Sequence, residues 1–279
     1  MAVLVGRDRL TRWLIRNADE EVGMSEVTER YAPGVPAWVD LSAQDREAAQ
    51  RFYGELFGWD FEVGPPEVGY YTQCTVRGLP VAGIYQTPSG EDGPPVAWIT
   101  YLATDDVDAT VARAREAGGQ VLMGPMDVLE EGRIALLADP TGAVVGLWQA
   151  RRHIGARVVN EPVSPCWSEL ATRDAARARE FYRALFDYEL HDMSGFDYTT
   201  LRVAGRDVAG VWGATDVLPP DVPAHWAVYF AVPDADEVAA TVTKLGGRVL
   251  REPVDSPYGR FATVQDPQGA VFGVLRLPE

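Results

Sequence analysis

Apolar residues recur at helical spacing in four places along this chain, each just after an aspartate. The stripes after Asp45 and Asp174 both contain the aromatic pattern FY-x-x-LF, and those after Asp106 and Asp234 end at glycine pairs. Because such aspartates and glycines are typical helix boundaries, the pattern predicts four amphipathic helices. The apolar positions are, in chain order, Ala48, Ala49, Phe52, Tyr53, Leu56, Phe57; Val107, Val111, Ala114; Ala178, Phe181, Tyr182, Leu185, Phe186; and Val238, Val242, Leu245.

Segments of strand-like alternation separate these helices, and the whole arrangement occurs twice. The sequence AWVDLSAQDREAAQRFYGELFGWDFE from Ala37 matches CWSELATRDAARAREFYRALFDYELH from Cys166. Three further pairs of segments match in the same order, the last being GRIALLADPTGAVVGLW and GRFATVQDPQGAVFGVL. Each half divides again into two units with the order strand, helix, three strands. The sequence therefore predicts an α+β protein of four βαβββ modules, grouped as two tandem domains.

The repeat also predicts the domain boundaries. We expect a first domain at residues 34–150, a linker that carries charge and proline at 151–163, and a second domain at 164–279. Residues 1–33 form an N-terminal extension outside the repeat. Met24 lies within this extension, so the native chain starts either at Met1 or at Met24.

The motifs D-x-x-x-x-x-x-FY-x-x-LFGW and ADPTGAVVGLW, with a helix ending in AGG between them, resemble the vicinal oxygen chelate superfamily. That superfamily includes glyoxalase I, bleomycin-resistance proteins, fosfomycin-resistance enzymes and extradiol dioxygenases. The resemblance runs from Pro36 to Leu277 and is greatest to a two-domain actinobacterial branch described as glyoxalase-like or hydroxylase-like, some of whose members belong to polyketide antibiotic pathways. It implies that each pair of modules curls into a cup around one small-molecule cavity.

The resemblance also implies a metal in each cup, but this sequence departs from the pattern at every ligand place. The superfamily has a histidine or glutamine seven residues before a helix-capping aspartate and a glutamate seven residues after the aspartate of the DPxG turn. The remaining ligand place falls near Val81 and Val208. None of the residues here can hold a divalent cation, so we expect no metal and no other cofactor. The counted places are occupied by Trp38, Ile99, Gly146, Trp167, Ala227 and Gly273.

Composition narrows the classes of partner. The 279 residues include 41 acidic and 25 basic side chains, a net charge of −16, which disfavours nucleic acid and anionic membranes. Two cysteines, Cys74 and Cys166, are too few for a disulfide-built secreted domain. The N-terminal segment lacks a signal-peptide apolar region and no membrane-length apolar run occurs, so we expect a cytoplasmic protein, either a monomer or a homodimer.

Strand alternation predicts what each cup contains. Trp38 and Asp40 face the first cup, as Trp167 and Glu169 face the second, while the intervening leucines pack on the helices. The same argument places Tyr101 and Tyr229 in the cups, with Trp98 and Trp226 near the rims and with Trp148 and Trp212 adding aromatic surface. This predicts two flat, aromatic-lined pockets, each with one carboxylate whose pKa is raised by its apolar walls. A structural alternative is that the tryptophans fill the cups and the carboxylates are bonded either to the backbone or to Arg133 and Arg260.

His225 distinguishes the two cups. It lies two residues before Ala227, so alternation directs it toward Glu169, and an imidazole beside a carboxylate suits proton transfer. The alternative is an exposed or hydrogen-bonded histidine without a role. Trp148, where the second domain has Leu275, favours the first cup for stacking instead. We expect the second cup to be the working one.

Three functions remain open at this point. One is a metal-independent cyclase, dehydratase or isomerase of secondary metabolism, acting on a planar aromatic or polyketide-like substrate through Asp40 or Glu169, with Tyr101 or Tyr229 holding an enol or phenol oxygen. Another is a non-catalytic binding or resistance protein for such a compound. The third is a metal-dependent enzyme of glyoxalase or dioxygenase type.

Overall fold

The computed structural model describes residues 26–88 and 94–278. Its elements follow the predicted order of strand, helix and three strands in all four modules. The first domain contains β1 (Pro36–Ala43), α1 (Arg46–Phe57), β2 (Asp60–Val63), β3 (Thr72–Val76), β4 (Leu79–Gln86), β5 (Ala97–Ala103), α2 (Val107–Glu116), β6 (Gln120–Val128), β7 (Gly132–Ala138) and β8 (Val144–Ala150). The second contains β9 (Pro165–Thr172), α3 (Ala175–Phe186), β10 (Glu189–Asp192), β11 (Tyr198–Val203), β12 (Arg206–Gly213), β13 (His225–Ala231), α4 (Ala235–Lys244), β14 (Arg248–Ser256), β15 (Gly259–Gln265) and β16 (Val271–Arg276). The tandem α+β prediction is confirmed.

The helices begin where the sequence predicts. The Asp45 side chain accepts a hydrogen bond from the Ala48 amide, and Asp106, Asp174 and Asp234 cap the other three helices in the same way. Each aspartate satisfies a backbone amide that the first helical turn leaves without a partner.

Each domain forms one eight-stranded mixed sheet. The strand order is β2-β3-β4-β1-β5-β8-β7-β6 in the first sheet, and the second repeats it as β10-β11-β12-β9-β13-β16-β15-β14. The two modules of a domain meet at the centre, where β1 pairs with β5 and β9 with β13, both antiparallel.

The two sheets share their apolar cores. One core joins α1 and its strands to the strands and helix of the last module, and the other joins the second and third modules. The helices therefore lie between the sheets, and the opposite, concave faces of the sheets point away from each other. Two buried hydrogen bonds link the domains symmetrically: the Tyr53 hydroxyl donates to Asp266 at 3.1 Å, and the Tyr182 hydroxyl donates to Asp139 at 3.0 Å.

The segment predicted as a linker packs on the first domain. The Ala156 amide donates to the Ala37 carbonyl at 2.8 Å, and the Tyr31 hydroxyl donates to the Ala156 carbonyl at 2.6 Å. Residues 26–31 thus follow the linker past the start of β1, a central strand of the first sheet, with a bridge between Glu26 and Val158. The choice between Met1 and Met24 as the native start concerns residues outside the described range. In the described chain, no helix has the length and apolar character to cross a membrane.

Candidate ligand-binding cups

A hydrogen-bonded series of side chains lines the concave face of the first sheet. Trp38 Nε1 donates to the Tyr71 hydroxyl at 2.7 Å, and that hydroxyl donates to Asp40 Oδ2 at 3.3 Å. Tyr101 lies opposite Trp38 on β5 and faces the same carboxyl group. The structure therefore brings Trp38, Asp40 and Tyr101 together on the cup face, as strand alternation predicts, and adds Tyr71.

Two glycines make room for the tyrosines. A Cβ atom on Gly83 would lie 2.0 Å from the Tyr71 hydroxyl oxygen, and one on Gly146 would lie 2.0 Å from the Tyr101 ring. Because both distances are far below van der Waals contact, a larger residue at either position would displace the tyrosine. The second domain repeats this arrangement, with Tyr198 above Gly210 and Tyr229 above Gly273.

The carboxyl group of Asp40 is held in an apolar environment. Only 4% of the residue is exposed, and its Oδ1 atom has no hydrogen-bond partner among the described residues. Burial raises the pKa of Asp40 to about 7, against the lowering effect of Tyr101 and Tyr71. Burial and the neighbouring Asp40 also raise the pKa of both tyrosines, so their hydroxyls stay protonated at neutral pH.

A histidine from the 151–163 segment packs against the aromatic side chains of the first cup. The His153 ring packs edge-on against Trp38, with ring centroids 4.4 Å apart, and lies 5.5 Å from Trp148. The Trp148 indole in turn donates to the His153 carbonyl at 2.8 Å. Burial lowers the pKa of His153 to about 4, so the ring is neutral at pH 7. Both tryptophans are buried. The first cup therefore matches the alternative in which aromatic side chains fill the space.

The second cup contains the equivalent network with a glutamate in place of the aspartate. Trp167 Nε1 donates to the Tyr198 hydroxyl at 2.9 Å, and the Tyr229 hydroxyl donates to Glu169 Oε1 at 3.3 Å. Burial raises the pKa of Glu169, while Tyr198, Tyr229 and the charge of Arg251 lower it. All four members of this network are partly exposed, unlike Trp38, Asp40 and Tyr101. The second cup is the more accessible of the two.

His225 is on the same face of the sheet as Glu169 but lies two residue pairs further along β13 and β9. Ala227 is the cross-strand neighbour of Glu169, whereas His225 pairs with Ala171 near the end of β9. The Nδ1 atom of His225 lies 2.9 Å from the Pro223 carbonyl oxygen. In the described chain, no contact between His225 and Glu169 supports the catalytic role predicted for His225.

Trp98 and Trp226 were predicted at the cup rims, and this is wrong. Trp98 has the strand parity of Thr100 and Leu102, and it lies in the core between the sheets, where its indole donates to the Tyr53 hydroxyl at 3.0 Å. Trp226 lies in the other core and donates to the Tyr182 hydroxyl at 2.8 Å. Neither indole faces a cup.

The other two predicted tryptophans, Trp148 and Trp212, differ in their surroundings. Trp148 lies in the apolar cluster of the first cup with Trp38 and Tyr101. Trp212 is partly exposed on β12, opposite Tyr198. The alternative pairing of the carboxylates with arginines is wrong for both domains. Arg133 pairs with Asp108 and Asp127, and Arg260 pairs with Asp236 and Asp255.

Three residues of the cups escape the sequence reasoning. Tyr71 and Tyr198 lie at the start of matching segments, YTQCTV and YTTLRV, so comparing the two halves could have found them. His153 has no counterpart in the second half, and its position depends on how the linker crosses the sheet. No local pattern indicates that crossing.

Sequence comparison places the chain among known proteins. A model of the Glyoxalase/Bleomycin resistance protein/Dioxygenase superfamily matches residues 36–147 and 154–274. The chain belongs to this superfamily. CFP32 of Mycobacterium tuberculosis, which carries the name glyoxylase, is 45% identical over 253 residues, covering 88% of this chain and 96% of that protein. The anthracycline biosynthesis protein DauV of Streptomyces sp. strain C5 is 41% identical over 267 residues, covering 90% and 96%.

Solved structures of the superfamily share the fold at low identity. The Mn(II)-bound glyoxalase from Novosphingobium aromaticivorans superposes with a TM-score of 0.61 at 17% identity, covering 88% of this chain and 83% of that one. The 2,3-dioxygenase LapB from Pseudomonas sp. KL28 gives a TM-score of 0.61 at 12% identity, covering 89% and 96%.

The residues of this chain do not fit the divalent metal that such a fold implies. No group of three or more histidine, cysteine, aspartate or glutamate side chains lies close enough to hold a metal in the range 26–88 and 94–278. The glutamate place of the metal site is taken by Gly146 and Gly273, and the rings of Tyr101 and Tyr229 occupy the space where a side chain would extend.

Proposed function

We propose that this protein acts on a planar aromatic or polyketide-like compound of secondary metabolism, bound in the second cup and transformed without a metal. The observation that carries the proposal is Glu169, a carboxyl group of raised pKa that is hydrogen-bonded to Tyr229 in a partly exposed aromatic cup. A carboxyl group with a pKa brought toward neutrality is suited to both accept and return a proton.

The chemistry is that of a cyclase, dehydratase or isomerase. Glu169 as carboxylate would remove a proton from a carbon next to a ketone, and the ketone oxygen would become an enolate oxygen. The Tyr229 hydroxyl would turn its one proton from Glu169 to that oxygen and stabilise it by a hydrogen bond. In an isomerisation the protonated Glu169 returns its proton to a different carbon, so no external oxidant or reductant is needed.

The substrate class is supported by the cup walls and by the relatives. Trp167, Tyr198 and Tyr229 surround the carboxyl group, and flat rings favour a flat ligand. DauV and the DnrV protein of Streptomyces peucetius, which is 40% identical to this chain over 267 residues, are both named for anthracycline biosynthesis. Anthracyclines are polycyclic aromatic polyketides.

A second candidate is a binding protein without catalysis. The first cup keeps the same tryptophan, tyrosine and carboxyl network. The network therefore also forms where His153 packs over it, which favours a role in shaping the cup.

One experiment separates the two candidates. Anthrone is a flat tricyclic ketone whose C10 protons exchange through its enol form, so deuterium uptake at C10 under nitrogen reports proton transfer directly. Wild-type protein is expected to accelerate uptake over buffer, E169Q to lose the acceleration, and the matched first-cup variant D40N to keep it. Tryptophan quenching measures whether anthrone binds. If wild-type protein binds anthrone but does not accelerate deuterium uptake, the result supports the binding protein instead.

A metal-dependent enzyme is the third candidate, and the donor set described above argues against it. Growth with added Mn, Fe, Ni and Zn, followed by elemental analysis, tests this. One tightly held metal per cup would overturn the metal-independent proposal.

A further inference from the structure

The second cup carries a cationic surface that the first cup lacks. The Arg251 guanidinium lies over the Phe261 ring, 4.7 Å from its centroid. The Phe261 ring is 6.4 Å from the Tyr229 ring, and Tyr229 donates to Glu169. Arg251, Phe261, Tyr229 and Glu169 thus form a continuous series from the exposed edge of β14 to the carboxyl group.

Arg251 is available to a ligand. It is exposed, and within the described part of the chain it forms no ion pair at 4 Å or less. Its charge nevertheless reaches the cup, because it lowers the pKa of both Glu169 and Tyr229. In a protein of net charge −16, an exposed arginine beside an aromatic cup is a specific feature when, as here, no carboxylate of the described residues lies within 4 Å of it.

A second donor points to the same kind of ligand. The Tyr258 hydroxyl, in the turn between β14 and β15, is buried and has no hydrogen-bond partner among the described residues. Burial raises the pKa of Tyr258, and Asp207 and Glu169 raise it further. Tyr258 lies at the end of the same β14–β15 hairpin that carries Arg251 and Phe261. Asp207 is itself paired with Arg202 at 2.6 Å. A buried hydroxyl left without a partner is unfavourable, and a ligand acceptor would remove that penalty.

The first cup has apolar residues at the corresponding places. Met123 stands on β6 where Arg251 stands on β14, and Ile134 pairs with Trp148 as Phe261 pairs with Leu275. The cation and its aromatic support are therefore properties of the second domain alone.

We propose that the second cup selects aromatic ligands that carry a carboxylate, with Arg251 as the residue that recognises the anionic group. This rests on the proposed function, since it names the class of compound that the same cup takes. The flat part of the ligand lies against Trp167 and Phe261, and its carboxylate accepts hydrogen bonds from Arg251 and from the Tyr258 hydroxyl.

Two probes of equal shape test the inference. Anthraquinone-2-carboxylate and anthraquinone-2-carboxamide are titrated into the protein at pH 7.5 and low salt, with tryptophan quenching as the readout. Wild-type protein is expected to bind the carboxylate about tenfold more tightly, a preference that shrinks at high salt. R251M is expected to abolish the preference, because it should weaken binding of the carboxylate probe and leave binding of the carboxamide unchanged. R248M, which removes an exposed arginine from the same strand, is the matched control and should retain the preference.

Each contrary result is informative. Equal binding of both probes by the wild type would overturn the anion selectivity while leaving aromatic binding intact. If R251M and R248M weaken binding of the carboxylate probe equally, the effect is one of general surface charge, and the assignment to Arg251 is overturned. Binding of neither probe would overturn both the inference and the proposed substrate class.

Discussion

The two cups hold the same four-residue network in different surroundings. Trp38 in the first cup is covered by His153, whereas the equivalent Trp167 in the second is partly exposed. The first cup adds Trp148 to its walls, and the second has Leu275 there, with Arg251 over Phe261 nearby. The comparison shows that a duplicated network is either buried or left partly exposed according to the few residues around it.

The largest expected difference concerns the two tryptophans. Trp38→Ala removes a buried indole, so the free energy of unfolding should fall by about 3–5 kcal/mol. Trp167→Ala should cost about half as much, because its side chain is partly exposed, yet it should abolish binding of planar ligands. Chemical denaturation and ligand titration on both variants measure the two effects. Loss of binding in Trp38→Ala but not in Trp167→Ala would make the first cup the working one.

Asp40 and Glu169 should contribute differently to the pH dependence of the free energy of unfolding. Asp40 has a pKa of about 7 in the folded protein and about 3.9 when unfolded. The folded state therefore holds a proton that the unfolded state releases, and stability falls as pH rises from about 4 to about 7. Three pKa units correspond to a loss of up to about 4 kcal/mol above pH 7.

Asp40→Asn should remove this dependence. Its stability relative to wild type should be similar near pH 4 and higher above pH 7, as measured by denaturant midpoints across that range. Glu169→Gln should change stability in the same direction but less, because Glu169 is partly exposed and close to Arg251. A stability difference between wild type and Asp40→Asn that stays constant with pH would mean that Asp40 titrates normally.

Much of the fold can be read from the sequence because its determinants are local and occur twice. Capping aspartates, apolar stripes and strand alternation identify four modules, and the repeat confirms each assignment. The error at Trp98 and Trp226 has a simple cause: the alternation that places Tyr101 in the cup places Trp98 on the other face, and its position at the start of β5 does not change that parity.

The parts of the site that the sequence does not indicate depend on contacts between distant segments. His153 reaches Trp38 because the linker returns across the first sheet, with Ala156 bonded to Ala37. Tyr53 and Asp266 meet only because the two domains pack through their helices. Neither contact has a signature in spacing or periodicity.

The hydrogen bonds between the domains are the same in both cores, whereas the two cups differ. Removing either hydrogen bond should therefore lower stability by a similar, smaller amount. Tyr53→Phe and Tyr182→Phe each remove a buried hydroxyl that donates to a carboxylate and accepts from an indole. Each should lower the free energy of unfolding by about 1.5–3 kcal/mol, and by similar amounts. Neither should change ligand binding. Unequal losses would show that the two cores contribute differently to the domain interface.

Removing His153 tests the comparison most directly, with the smallest cost in stability. His153→Ala deletes two edge-on ring contacts, each contributing about 0.5–1.5 kcal/mol, and uncovers Trp38. At pH 7 the ring is neutral, so no charge is lost with it. We expect acrylamide to quench the tryptophan fluorescence of this variant more strongly than that of wild type, while His225→Ala, a histidine at the edge of the second cup, leaves quenching unchanged. Combined with Trp167→Ala, which disables the second cup, His153→Ala should restore binding of a planar ligand in the first. If the double variant binds nothing and acrylamide quenching stays at the wild-type level, the first cup is closed by its own tryptophans, and the linker histidine does not decide which cup is open.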